Sequence, residues 1–169
     1  ICLSDCFFRL GGNTLEKTSV DTCVILNAND VLGDNFWVWR ADHGVKDAFN
    51  ESKGVGWFKN HGKNGIIVNG DDFLIYGLMV EHFNEYQTIW NGENGRMFFY
   101  QSETPYDALS QEDWINANFE GDYALGYASY KVNDDVKNHE AIGLGIYFIN
   151  SIKNVEKFVH HAIETPDAE

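Results

Sequence analysis

Proline is nearly missing from the 169 residues, with two in the whole chain, so no part of it is a proline-rich linker. Cysteine is scarce too. Cys2, Cys6 and Cys23 are the only three, an odd number that leaves at least one free or paired outside this segment. Too little histidine accompanies them for a structural zinc site, so no metal centre is expected. Basic residues number 12 against 26 acidic ones, a net charge of −14. Such a chain repels phosphate backbones, which excludes nucleic acid as a partner and puts polyuronates such as pectin or alginate at a disadvantage against neutral sugars. No apolar run approaches the ~20 residues that cross a bilayer, so no membrane association is expected. No signal peptide is visible, but the chain opens at Ile1-Cys2-Leu3 without methionine and reads as an internal or processed segment.

Hydrophobic residues make up 44% and aromatics 15%, enough for a core, and 16 glycines suit many tight turns. Convincing helical periodicity is absent. Short apolar runs recur instead, at Cys23–Leu26, Phe36–Trp39, Ile66–Val68, Phe73–Tyr76, Met97–Tyr100 and Gly145–Phe148, each bounded by Asn, Asp or Gly. Their length and their β-branched and aromatic content predict strands.

Leu26-Asn27-Ala28-Asn29-Asp30-Val31-Leu32 resembles Val68-Asn69-Gly70-Asp71-Asp72-Phe73-Leu74, with a looser copy at Lys131–Val136. A recurring strand–turn–strand unit predicts a solenoid whose Asn/Asp turns stack and satisfy free backbone groups. The alternative on pattern alone is a β-sandwich with Asn-rich turns. We expect an all-β chain, one β-solenoid segment over 1–169, with loop excursions at about 45–64 and 104–123. At ~20–25 residues per coil about seven coils fit, fewer than hide the ends of such a fold. Another chain, or the remainder of the same solenoid, is then the expected partner. A helical turn capped by Ser110 is expected ahead of Glu112-Asp113.

Glycosidic hydrolysis needs a protonated carboxyl to assist the leaving oxygen and a second carboxylate to activate water or attack carbon. Asp42, Asp71 and Asp72 are the candidate acids. Three close carboxylates raise one another's proton affinity, which lets one act as an acid near neutral pH. The competing reading of Asp71-Asp72 is a solvated or calcium-friendly turn; no spacing requires calcium, and no cofactor is expected.

Longer strings carry a resemblance. Asn35–Gly44 (NFWVWRADHG), Asn64–Asp72 (NGIIVNGDD), Gly77–Phe83, Trp90-Asn91-Gly92 and Gln101–Asp107 resemble the α-1,3-glucanase (mutanase) family and a neighbouring set of exo-β-1,3-glucanase-like β-helix proteins, over about Asp5 to Pro166. The resemblance implies a right-handed parallel β-helix of the pectin-lyase type. It also implies an inverting glycoside hydrolase acting on a neutral α-1,3- or β-1,3-glucan, with Asp71 as general acid and Asp42 and Asp72 holding the attacking water. Two departures stand out: a longer segment between His43 and Asn69, and Ala108-Leu109 where the family has Pro-Pro after Asp107.

Around these acids, His43, Trp57, His82, Trp90, Glu103 and Tyr106 are the candidate substrate contacts, the aromatics because sugar rings stack on such faces. Glu103 is the alternative acid. Of the neighbours Glu81 and His82, the histidine is the expected cleft residue. Arg40 is expected to pair with a carboxylate, His139-Glu140 to line the same face, and His160-His161 to lie on a surface strand. Asn50-Glu51-Ser52 is a glycosylation acceptor at Asn50, meaningful in a secreted glycoprotein. Together with the cysteines it points to an oxidising, extracellular setting, so a secreted protein acting on polysaccharide is expected. Three functions compete: a glucan hydrolase, a non-catalytic glycan-binding or filament-forming β-helix, and, more weakly, a polysaccharide lyase, which the shortage of basic residues disfavours.

Overall fold

A computed structural model describes residues 1–12, 16–41, 56–149 and 155–167. Its strands are β1 (Cys2–Leu10), β2 (Thr18–Leu26), β3 (Leu32–Arg40), β4 (Asn60–Val68), β5 (Leu74–Glu81), β6 (Thr88–Trp90), β7 (Gly95–Glu103), β8 (Tyr130–Val132), β9 (His139–Tyr147) and β10 (Ile163–Glu164). Two short 3-10 helices, Glu112–Trp114 and Gly121–Ala124, are the helical content of the described residues. Odd-numbered strands form one five-stranded sheet in the order β1-β3-β5-β7-β9; even-numbered strands form the other, β2-β4-β6-β8-β10. Every pairing between named strands is parallel. The chain therefore visits the two sheets alternately, one strand to each per pass. Each of the six expected apolar runs contributes to a strand.

The odd sheet is bent along one line. Asp5, Asn35, Gly77, Phe99 and Gly143 all have positive φ, between 53° and 74°, and the pairing register skips each of them. Asn35 Nδ2 donates to Asp5 Oδ1 at 2.7 Å along this line. A left-handed residue turns the strand and reverses which alternate side chains face inward, so each odd strand has two legs.

The turns stack as the repeat predicts. Asn69 Nδ2 donates to Asn27 Oδ1 (2.7 Å), Asn91 to Asn69 (2.7 Å) and Asn133 to Asn91 (2.6 Å), a continuous asparagine ladder. Two positions on, Asn29 Oδ1 accepts from the backbone of Asp71 at 3.0 Å, and Asp71 Oδ1 from that of Glu93 at 2.8 Å. Glycine is required beside the ladder: a Cβ on Gly70 would lie 1.8 Å from the Ala28 carbonyl oxygen, and one on Gly92 1.9 Å from that of Gly70. Successive rungs are 42, 22 and 42 residues apart. The 22-residue step is one pass without an excursion. The others carry the segments after β3 and β7, which is why five strands per sheet are seen and not seven coils.

The core between the sheets holds Phe36, Val38, Ile66, Val68, Phe73, Ile75, Leu78, Val80, Trp90 and Met97. A second cluster, Trp57, Tyr86, Ala108, Trp114, Tyr127 and Ala128, anchors the excursions. The first excursion ends sooner than expected. Asn60–Asn64 is polar, yet it is strand, because Asn60 takes a 2.7 Å hydrogen bond from Thr18 Oγ1 and gives one to the Ala41 carbonyl. In the second excursion Ser110 Oγ accepts from the Asp113 backbone at 3.3 Å, ahead of the expected helical turn. The three cysteines are free thiols.

Candidate active site

The second leg of each odd strand turns its alternate residues away from the core, though Trp39 among them is covered, at 5% exposure. Register places Phe7, Trp37, Met79 and Gln101 in one row, and Arg9, Trp39, Glu81, Glu103 and Tyr147 in the next. Adjacent parallel strands lie about 4.8 Å apart, so Glu81 and Glu103 project side by side from neighbouring strands.

Their surroundings differ. Trp37 donates its indole N–H to Glu81 Oε2 at 2.9 Å, and a hydrogen bond to the charged form favours ionisation. Glu103 Oε2 lies 3.6 Å from His82 Nε2. His82 is buried, at 3% exposure, has a left-handed backbone (φ 69°), and packs its ring edge-on to Tyr106 at 4.6 Å. Upstream of the pair is an aromatic platform. Phe7 stacks on Trp37 at 4.7 Å, Trp37 on Trp39 at 5.5 Å, and the Arg9 guanidinium covers Trp39 at 4.9 Å. Phe7, Trp37 and Tyr147 remain substantially exposed, at 52%, 39% and 54%.

Beneath this face Arg40 is fully buried. It pairs with Asp107, donates Nε to the His82 carbonyl and Nη1 to the Asn60 carbonyl at 3.1 Å. The expected carboxylate partner of Arg40 is thus Asp107.

Of the expected site residues, Glu103, His82 and Tyr106 come together here. Asp71 and Asp72 do not join them. Both lie in the turn before β5, with the whole of that strand and its bend between them and Glu81. Asp72 Oδ1 accepts from Asn94 Nδ2 at 3.1 Å, and Asp72 borders a surface hollow with Arg96, Lys137, His139 and Glu140. Asp42, His43 and Asn50 lie outside the described residues.

Several expected contacts are corrected. Trp90 has no exposed surface; it meets Phe73 edge-on at 6.3 Å in the core, so it cannot stack on a sugar. Trp57 is 5% exposed and packs in the second cluster, under the Arg40 guanidinium. His82, expected as a substrate contact, is buried beside Glu103, with Nε2 3.6 Å from its carboxylate. His139 turns inward, sharing a 2.8 Å hydrogen bond with the Tyr130 hydroxyl and lying 4.7 Å from the Trp90 ring. His160-His161 is not strand; His161 Nε2 is 2.8 Å from Glu164 Oε1. Among the described residues no group of three or more His, Cys, Asp or Glu could hold a metal ion. Glu81 was missed. Its signal was the 22-residue interval to Glu103, the same as between Asn69 and Asn91 on the ladder.

Two parallel sheets filled alternately, with stacked asparagine turns, define a pectate-lyase-like all-β protein. The chain belongs to the LAM55 pectate lyase-like domain family, whose model matches residues 1–103. It is 42% identical, over 97% of its length, to an exo-β-1,3-glucanase of Streptomyces sp. (strain SirexAA-E / ActE), of which it spans 24%. The crystallographic neighbour sacteLam55A from Streptomyces sp. SirexAA-E superposes with a TM-score of 0.79 at 40% identity, covering 95% of this chain and 26% of that one. A Glu-to-Ala variant of the same protein in complex with glucose superposes with a TM-score of 0.78, also at 40% identity and with the same coverages. The chain therefore spans about a quarter of the relatives it matches, and the match falls on the exo-β-1,3-glucanase side of the resemblance.

Proposed function

We propose that this chain is the catalytic-face segment of an inverting glycoside hydrolase that removes sugar from neutral β-1,3-glucan. Glu103 is the general acid and Glu81 the base. The observation that carries this reading is the register row Trp39–Glu81–Glu103–Tyr147, two carboxylates side by side on one outward face between aromatic rings. The names of the matched relatives support the substrate class, and the surplus of acidic residues supports a neutral polymer over a polyanion. We further propose that the two sheets are faces of one right-handed parallel β-helix, continued by the remainder of a longer protein. The bent odd strands make a three-sided cross-section, and the asparagine ladder runs along one corner.

In this mechanism Glu103 gives its proton to the glycosidic oxygen as the bond from that oxygen to the anomeric carbon breaks. Water attacks the anomeric carbon from the opposite side and loses a proton to Glu81, whose ionised form the Trp37 indole stabilises. Glu81 ends protonated and Glu103 ionised, and a proton exchange with solvent resets the pair. General acid–base work of this kind contributes about 10²–10⁴-fold in rate per group. The exposed rings of Phe7 and Trp37 offer stacking surface for glucose units along the face. Secretion and glycosylation at Asn50 belong to the same proposal, because a polymeric glucan lies outside the cell.

The test is hydrolysis of β-1,3-glucan by the full-length protein, beside Glu103→Gln, Glu81→Gln and Asp71→Asn variants, with product anomers followed by proton NMR. Inverted product, lost in both glutamate variants and kept in Asp71→Asn, supports the pair. Activity lost in Asp71→Asn and kept in Glu103→Gln returns the acid role to the aspartates. A folded wild-type protein inert on α-1,3- and β-1,3-glucans leaves a binding or structural β-helix.

A further inference from the structure

The buried charges under the Glu81–Glu103 face have no part in the proton transfers just described, yet they converge on it. Arg40 is fully buried and Asp107 5% exposed. The guanidinium divides its donors among three acceptors from three parts of the chain: the Asp107 carboxylate after β7, the His82 carbonyl after β5 and the Asn60 carbonyl at the start of β4. Lys157, 2% exposed, adds two bonds from the segment between β9 and β10, to the Tyr106 carbonyl at 2.9 Å and the Ala108 carbonyl at 2.8 Å. His82 is thereby held through its backbone by Arg40, and Tyr106, against which its ring packs, by Lys157.

Burying these charges is costly unless each is paired and hydrogen-bonded. His82 adds cost, because a side chain other than glycine at φ 69° is strained. Both are accounted for by the position they give one imidazole, between Tyr106 at 4.6 Å and Glu103 at 3.6 Å.

We propose that Arg40 is a positioning residue for the reaction: paired with Asp107, it clamps the left-handed backbone of His82 and so fixes the imidazole that orients Glu103. The inference rests on the hydrolase reading above and deepens it. A lysine at 40 keeps a charge for Asp107, but its donors leave from one nitrogen and cannot span the acceptors that Arg40 reaches from Nε, Nη1 and Nη2. Displacing a reacting group by about 1 Å can cost roughly 10²-fold in rate.

The experiment is a double-mutant cycle in the full-length enzyme, Arg40→Lys against His82→Gln, with kcat, KM and thermal midpoint measured on β-1,3-glucan. The expected result is a folded Arg40→Lys protein with KM within about twofold of wild type, kcat down by about 10- to 100-fold, and a double variant no slower than the slower single one. Losses that multiply would show that Arg40 does not act through His82 and would overturn the inference, as would a folded Arg40→Lys enzyme of full kcat. If Arg40→Lys does not fold, Asp107→Asn takes its place in the cycle with the same criteria. A wild-type protein inert on glucan overturns the hydrolase reading and this inference together, whereas an active wild type with additive losses overturns the inference alone.

Discussion

Trp37 reaches from β3 to donate its indole N–H to the Glu81 carboxylate on β5, 2.9 Å away, while its ring stacks on Phe7 at 4.7 Å. One side chain thus serves two purposes on the same face: it donates a hydrogen bond to a carboxylate and offers ring surface beside it. The two can be separated. Trp37→Phe keeps a ring for Phe7 but removes the donor. A hydrogen bond to a charged group is worth about 1.5–3 kcal/mol when well shielded, and less on a partly exposed carboxylate. Without the donor, the charged form of Glu81, the proposed base, loses a stabilising hydrogen bond. The acidic limb of the kcat/KM profile should then move to higher pH, with KM changed little. A profile that keeps its acidic limb and only weakens KM would mean that Trp37 contributes stacking and not charge.

Asp71 gives the contrary expectation. Its Oδ1 accepts the Glu93 backbone N–H at 2.8 Å, one rung of a turn ladder that Asn29 begins. Glu93 continues it, with its carboxyl held below the usual range by hydrogen bonds from the Lys137 backbone and the Asn138 side chain. Asp71→Ala should lower stability by about 0.5–1.5 kcal/mol and leave kcat within about twofold, as surface hydrogen-bond losses away from the reacting atoms do. Denaturant midpoints and glucan turnover on the same preparation check this. A kcat loss of about 10²-fold or more would give Asp71 the acid role that its sequence context first indicated.

The contrast between Asp71 and Glu103 marks where the sequence was readable. Strands were legible because each apolar run is closed by Asn, Asp or Gly, and the turns were legible because the Asn27, Asn69 and Asn133 repeats are local. A site on the face of a parallel sheet is not local. It depends on which residue of one pass lies over which residue of the next, and the steps here are 30, 42, 22 and 44 residues. The one short step, 22 residues from Asn69 to Asn91, also aligns Glu81 with Glu103, but it does not stand out among the longer ones, whereas Asp71-Asp72 catches the eye as a pair. Trp90 misled for a related reason. It borders Asn91-Gly92, a polar outer turn, but the strand alternation just before the turn points the ring inward. Asn60-His61-Gly62 looks like loop because its polarity is satisfied from other strands, a fact invisible in its own neighbourhood.

Phe99 occupies the bend column that Asp5, Asn35, Gly77 and Gly143 fill elsewhere, at φ 65° and 66% exposed. A phenylalanine there bears the left-handed penalty of roughly 1–2 kcal/mol and recovers little by burial. Phe99→Gly should therefore stabilise the protein, by up to about 1 kcal/mol after the added freedom of the unfolded chain is counted. The check is the denaturant midpoint at constant slope. A destabilised variant would show that the Phe99 ring makes contacts in the intact protein worth more than the strain.

His139 makes stability depend on pH in a direction that can be worked out. It begins β9 with its ring between Trp90 and the Tyr130 hydroxyl, and burial pushes its pKa down to about 4. In the unfolded chain the same group titrates near 6.5. Between these values the unfolded state binds the proton that the folded state refuses, so stability is full above about pH 6.5 and falls as the pH drops towards about 4. His139→Gln keeps a hydrogen-bonding partner for Tyr130 but does not titrate. Its denaturant midpoint should be lower than wild type at pH 7.5, through imperfect packing, and should decline less between pH 6.5 and 4. The informative quantity is the difference between the two pH dependences, since the many surface carboxylates contribute equally to both. If the two curves run parallel through that window, His139 is not held neutral, and the hydrogen bond to Tyr130 is made by a charged imidazole that solvent reaches.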